Sequence, residues 1–222
     1  MLRIQQLVAG YGSITALKNV DIAVPKGSIV SLIGANGAGK TTTMKTIMGL
    51  IKPQSGQIEF HGENVTAMAV HKIVNKGISL VPEGRSILSQ MTVLENLEMG
   101  AFQRNDNGIS QDIRKVFNRF PILEERKQQL GGTLSGGQQQ RVAVARAIAA
   151  QPPIVLADEP TGNLDTKSTK EIMEILKGLH KGGRTVIIIT HDDEIAQQVN
   201  RVVRIIDGRI ENDYLNEERE GA

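Results

Sequence analysis

The sequence predicts an α/β fold: a mixed sheet with flanking helices and an antiparallel β edge, into which a helical subdomain is inserted. Three observations predict it. Apolar runs at 29–33, 154–157 and 186–189 have the length of buried strands and alternate with helical stretches. Residues 2–8 and 20–24 instead alternate apolar and polar, the mark of half-exposed antiparallel strands. From 83 to 150 strand signals stop and helical ones take over.

The elements follow in order. Pro25-Lys26-Gly27 turns the antiparallel strands into the buried one at 28–33, a loop follows over 34–39, and 41–48 reads as a helix stopped by Gly49. The chain returns as a strand at 56–60, turns at His61-Gly62, and buries another strand at 78–81 that Pro82 ends. Helical stretches are expected over 93–102, 113–120 and 138–150. Alternation then resumes with a strand at 154–157 and a helix over 167–180, where Ile172, Ile175, Leu176 and Leu179 share one face. A strand at 185–190, a helix at 194–199, a strand at 202–206 and an Asp207-Gly208 hairpin turn complete the core. The acidic tail from Asn212 is expected to be mobile. The division is therefore one domain, with a core over 1–82 and 151–222 and a helical subdomain over 83–150.

Composition sets the outer limits. With 222 residues, 40% hydrophobic and 23% charged, the chain has material for a substantial core and none of the bias of a disordered one. A formal net charge of +2 gives no nucleic-acid footprint. The absence of cysteine excludes disulfides and thiolate metal sites. No apolar run reaches the roughly 18–20 residues of a membrane span, and the N-terminus lacks the apolar centre of a signal peptide. The expectation is a soluble, cytoplasmic protein without direct membrane insertion, peripheral to the cytoplasmic membrane through a partner.

Chemistry concentrates in three places. Gly34-Ala-Asn36-Gly37-Ala38-Gly39-Lys40-Thr41 fits G-x-x-x-x-G-K-[ST] between a strand and a helix, as a Walker A phosphate cradle requires. Its glycines let backbone N–H groups turn toward phosphate oxygens at a helix N-terminus, Lys40 would bridge the β- and γ-phosphates, and Thr41 would hold Mg²⁺. This marks the core as a P-loop NTPase. The strand at 154–157 runs into Asp158 and Glu159, the first suited to Mg²⁺ and the second to the attacking water as general base. Leu134-Ser135-Gly136-Gly137-Gln138 opens a helix. Ser135 and Gln138 fit a capping box, but two consecutive glycines in a first turn cost up to about 1 kcal/mol each. They are expected where something approaches the backbone closely, a phosphate being the natural candidate.

On these residues the chain resembles the nucleotide-binding subunit of an ATP-binding-cassette (ABC) transporter over nearly its whole length. Walker A, L-S-G-G-Q, the Asp158-Glu159 pair, the Asn163-Leu164-Asp165 loop and His191 occur in family order. The resemblance implies a head-to-tail dimer, with itself or a homologous ATPase, that sandwiches two ATP molecules, and transmembrane permease subunits as further partners. It implies that Ser135, Gly136, Gly137 and Gln138 meet the nucleotide held by the opposite subunit. Thr42 would touch the α-phosphate and Tyr11 the adenine. His191 would contact the γ-phosphate and help Glu159 and water into place, while Asp165 would reach across the interface. Glu83 stands where the family usually has Gln, and is placed with Thr41 and Asp158 as a metal-site residue.

The first half, with Val81-Pro82-Glu83-Gly84-Arg85 and T-V-L-E-N-L-E-M-G-A, resembles branched-chain amino-acid importer ATPases. The second, with Leu156-Ala-Asp-Glu-Pro-Thr-Gly-Asn-Leu-Asp165 and Thr190-His191-Asp192, resembles the lipoprotein-release and macrolide-export group. A mosaic with a join near the signature motif is therefore expected, natural or engineered, with its first-half surface governing partner choice. The rival classes fit less well. A related soluble ATPase acting on nucleic acid or ribosomes would carry two cassettes or a long coiled coil, and a small-molecule kinase would leave L-S-G-G-Q without a role.

Overall fold

Three runs of consecutive apolar residues have to be buried on both faces, and the structure does this by placing them side by side at the centre of one sheet. The computed structural model describes residues 1–84 and 86–216; Arg85 and the tail 217–222 lie outside the described residues. β1 (Leu2–Tyr11), β2 (Ile14–Val24), β4 (Ser55–Phe60) and β5 (Glu63–Asn64) form an antiparallel sheet in the order β2-β1-β4-β5. The second sheet, β10-β9-β3-β8-β7-β6, comprises β3 (Ile29–Ile33), β6 (Ile78–Val81), β7 (Ile154–Asp158), β8 (Thr185–Thr190), β9 (Arg201–Ile206) and β10 (Arg209–Leu215). All its pairings are parallel except β9 with β10.

The helices are α1 (Lys40–Ile47), α2 (Val70–Asn75), α3 (Val93–Gly100), α4 (Ile109–Arg119), α5 (Pro121–Glu125), α6 (Gly136–Ala149), α7 (Thr166–Lys181) and α8 (Asp193–Ala196). The side-chain period of two explains the continuous apolar runs. Val155, Ala157, Val186 and Ile188 enter a core with α3, α4, α6 and α7, while Ile154, Leu156, Ile187 and Ile189 enter a second core with α1 and the antiparallel sheet. The α/β fold with an antiparallel β edge is as the sequence predicts.

Boundaries differ where the local chemistry is irregular. β1 and β2 extend well beyond 2–8 and 20–24 because register shifts, with Gln6 and Asn19 at positive φ, interrupt the alternation. The tail from Asn212 is not mobile through Leu215: it forms the outer part of β10, held by the ladder to β9 and by the Arg201 fork on Asp213 at 2.7 and 2.6 Å. Its sequence conceals this because both faces of the strand are largely exposed. α2 and α5, both short, carry no periodicity that the sequence could reveal.

The parallel register fixes where chemistry emerges. Ile33 is level with Thr190, and Asp158 with Ile189, so the chain leaves β3, β7 and β8 at the same edge. Gly34, Glu159 and His191 are the residues that follow. A ligand crevice at the carboxyl ends of such strands is the general rule for parallel sheets.

Candidate active site: the phosphate loop and the carboxyl edge of the sheet

A cleft of about 460 Å³ opens at that edge. Asn36, Gly37, Gly39, Lys40, Thr41 and Thr42 form one wall, Glu83 and Gly84 a second, and Glu159, Thr161, Gly162, Asn163, Thr190, His191 and Asp192 the rest. Sequence reasoning missed Gly84, Thr161, Gly162, Asn163, Thr190 and Asp192 as lining residues. Adjacency to Glu83, Glu159 and His191 was the available signal for them.

The phosphate loop is held from behind. A Cβ on Gly34 would fall 2.3 Å from the Ile205 carbonyl oxygen, so the loop lies directly on β9. The Gly208 amide donates to the Ala38 carbonyl at 2.9 Å, pinning the loop to the β9–β10 turn. Gly34 and Ala38 therefore back the cleft rather than line it. Gly39 is the N-cap of α1 at φ 111, a conformation open to glycine, and no side chain caps the helix. The first-turn N–H groups thus have no side-chain acceptor, the condition for anion binding. Lys40, 6% exposed, donates from Nζ to the Gly34 and Ala35 carbonyls at 2.7 and 3.0 Å.

On the facing side Asp158 is buried at the end of β7, and Thr41 Oγ1 donates to its Oδ1 at a long 3.4 Å. Burial, then the neighbouring charges of Glu83 and Glu159, push the Asp158 carboxyl up to about 6. Glu159 takes a left-handed φ of 45, unusual for a residue with a side chain. Its amide donates to the Ile189 carbonyl at 2.9 Å, and its own carbonyl accepts from Gly162 at 3.0 Å, which fixes that turn. His191 Nδ1 and Glu159 Oε1 are 2.9 Å apart. In the tautomer that carries its proton on Nδ1 the ring donates to Glu159 Oε1, and Nε2 is the other polar atom of the ring. Among the described residues no three His, Asp or Glu side chains form a metal-ligand set by themselves.

This arrangement matches known proteins across most of the chain. The family model described as ABC transporter matches residues 17–162. The chain belongs to the ABC transporter family. It is 39% identical over 211 residues to the high-affinity branched-chain amino acid transport ATP-binding protein BraG of Pseudomonas aeruginosa, covering 95% of this chain and 91% of BraG. It is 37% identical to the lipoprotein-releasing system ATP-binding protein LolD of Geobacter metallireducens, covering 95% and 97%. A solved dimeric ATP-binding cassette in a post-hydrolysis state, bound to ADP and Pi, superposes with a TM-score of 0.87 at 31% identity over 98% of this chain and 99% of that one. The protein is thus an ATP-binding, ATP-hydrolysing cassette. Since the matches to BraG and LolD each run over 95% of the chain, neither is confined to one half, and a mosaic joined at the signature motif gains no support.

The cassette's remaining predicted residues lie elsewhere. Tyr11 is half-exposed at the end of β1 and is not part of the cleft wall. Ser135, Gly136, Gly137, Gln138 and Asp165 are also absent from it. Ser135 caps α6 in a complete capping box: its Oγ accepts from the Gln138 amide at 3.4 Å, and Gln138 Oε1 accepts from the Ser135 amide at 3.0 Å. α6 begins at Gly136, so both glycines lie inside its first turn. At Gly137 one close neighbour lies within the chain: a Cβ there would lie 2.7 Å from Ser168 Oγ. Asp165, expected to reach across an interface, is within its own chain the N-cap of α7, accepting from the Ser168 amide at 2.9 Å and the Ser168 hydroxyl at 2.8 Å.

Proposed function

We propose that two copies of this chain, or this chain and a homologous cassette, close head to tail on two ATP molecules and hydrolyse them to drive transport through permease subunits. The observation that carries this reading is the division of parts. A phosphate loop, a buried lysine and a His–Glu pair share one cleft, while the signature residues lie outside it. A site that needs both is completed by another chain. Two solved structures of one relative of this fold are described as dimeric, and BraG and LolD are named as the ATP-binding proteins of transport systems. That no helix of the described residues is long and apolar enough to cross a membrane fits a cassette held at the cytoplasmic face by its permease. In this reading residues 83–150 form the signature-bearing subdomain.

The residues present suit Mg²⁺. Thr41 and Asp158 offer hard oxygen donors, and the Asp158 carboxyl is raised first by burial and then by the charges of Glu83 and Glu159 beside it, charge that a cation would offset. Thr41 and Asp158 would hold the ion, with Glu83 beside them, and when bound it neutralises charge on the β- and γ-phosphates. Lys40 exchanges its loop carbonyls for phosphate oxygens, the first-turn amides and Thr42 bind the remaining phosphates, and Tyr11 stacks on adenine. Water attacks the γ-phosphorus in line, the bond to the β–γ bridging oxygen breaks, and ADP leaves. Glu159 takes the water's proton, with His191 orienting its carboxylate. Ser135 and Gly137 of the opposite chain enclose the γ-phosphate. The Glu159→Gln variant tests this: turnover is expected to fall by about two to three orders of magnitude with ATP binding retained and a dimer trapped. Normal turnover by that variant contradicts the assignment of the base.

A further inference from the structure

We infer that Ser168 is a positioning residue that locks the Asp165 loop to the signature helix of the same chain, and that position 137 is glycine to admit its hydroxyl. The inference rests on the two-chain reading above and adds to it the device that holds one chain's signature segment in place. Ser168 is buried, 8% exposed, in the first turn of α7. Its hydroxyl donates to Asp165 Oδ2 at 2.8 Å and its amide to Asp165 Oδ1 at 2.9 Å, so both carboxylate oxygens are engaged within the chain. That same hydroxyl occupies the space beside Gly137: a Cβ there would meet Ser168 Oγ at 2.7 Å and Ser168 Cβ at 3.4 Å. The first distance is too short for any real contact, whereas the second is ordinary packing.

One turn further on, Arg141 of α6 pairs with Glu171 of α7. The two helices are therefore fastened at successive levels, Gly137 on Ser168 and Arg141 on Glu171. These two contacts tie the signature turn to the loop before α7, the segments that the two-chain reading sets against the partner. In this arrangement Asp165 acts as a cap that shapes its loop, and Gly137 answers a demand from its own chain.

A double substitution separates this from the alternative, in which Gly137 is glycine only for the phosphate of the facing chain. Full-length chains carrying Ser168→Ala, Ser168→Thr, Gly137→Ala and the Gly137→Ala/Ser168→Ala pair are compared for kcat and KM. Affinity of the single chain for a fluorescent ATP analogue is measured alongside, and dimer formation with Mg-ATP is followed in a Glu159→Gln background. Ser168→Ala is expected to leave single-chain affinity unchanged and lower kcat about ten- to a hundredfold. Ser168→Thr, which keeps the hydroxyl, restores kcat. Gly137→Ala is more damaging, and removing the hydroxyl in the double variant recovers part of the loss. Wild-type kcat in Ser168→Ala, or a double variant no better than Gly137→Ala while Glu159→Gln still dimerises, overturns this inference alone. A Glu159→Gln chain that stays single in Mg-ATP overturns the two-chain reading and this inference with it.

Discussion

The phosphate loop and the signature segment both open a helix with glycines, yet they treat the helix end in opposite ways. At α1 the N-cap is Gly39 and no side chain closes the first turn. At α6 Ser135 and Gln138 close it reciprocally. The first end keeps its orphan amides for an anion, and the second satisfies part of its own demand. A glycine-rich helix start is thus two different objects. One leaves its first-turn amides without a side-chain acceptor, and the other is capped from within its own chain.

Substitutions can break this comparison at either end. The largest effect is expected at Lys40, whose ammonium is buried on two loop carbonyls. Lys40→Ala removes a charged donor and leaves those carbonyls unpaired, so single-chain ATP affinity should drop about ten- to a hundredfold, measured by titration with a fluorescent analogue. An unchanged affinity would take the lysine out of the receptor.

Next is Asp158. Its carboxyl is raised from an ordinary 3.8 to about 6, first by burial and then by Glu83 and Glu159, against the Thr41 hydrogen bond and Lys45. Between those two values the folded chain holds a proton that the unfolded chain has released. Stability of the nucleotide-free cassette therefore falls as pH rises through that window, and the deficit persists above it. Asp158→Asn should stabilise the nucleotide-free chain by roughly 1–3 kcal/mol at pH 7 and flatten this dependence in denaturant titrations. A loss of stability at pH 7 would show that the carboxylate is compensated.

The smallest effect belongs to the signature. Ser135→Ala loses one long hydrogen bond of the capping box and should cost up to about 1 kcal/mol in a thermal melt. Single-chain ATP affinity should stay as it was, while turnover falls. A loss of affinity in the isolated chain would place Ser135 in its own cleft.

Much of the fold was legible because its strongest signals are local. The apolar runs of β3, β7 and β8 identify the central sheet, and their parallel order brings Gly34, Glu159 and His191 to one edge. The phosphate loop is equally local, as glycine, lysine and threonine at fixed spacing have few other uses. What escaped the sequence is set by tertiary neighbours. β10 has mostly exposed side chains and exists because β9 offers it a ladder and Arg201 a clamp. The close approach of Gly137 to Ser168 joins residues from separate helices, and nothing in the sequence near either residue announces it. Asp165 follows the family's order of motifs, and within the chain its carboxylate caps α7 on the Ser168 amide.

The most direct test is the specific ATPase activity of the wild-type chain followed over serial dilution in Mg-ATP. A cleft that must be closed by another copy predicts activity per molecule that falls steadily on dilution, with ATP still bound. Activity per molecule that stays constant down to the lowest measurable concentration, with the chain sedimenting as a single copy throughout, would contradict the account.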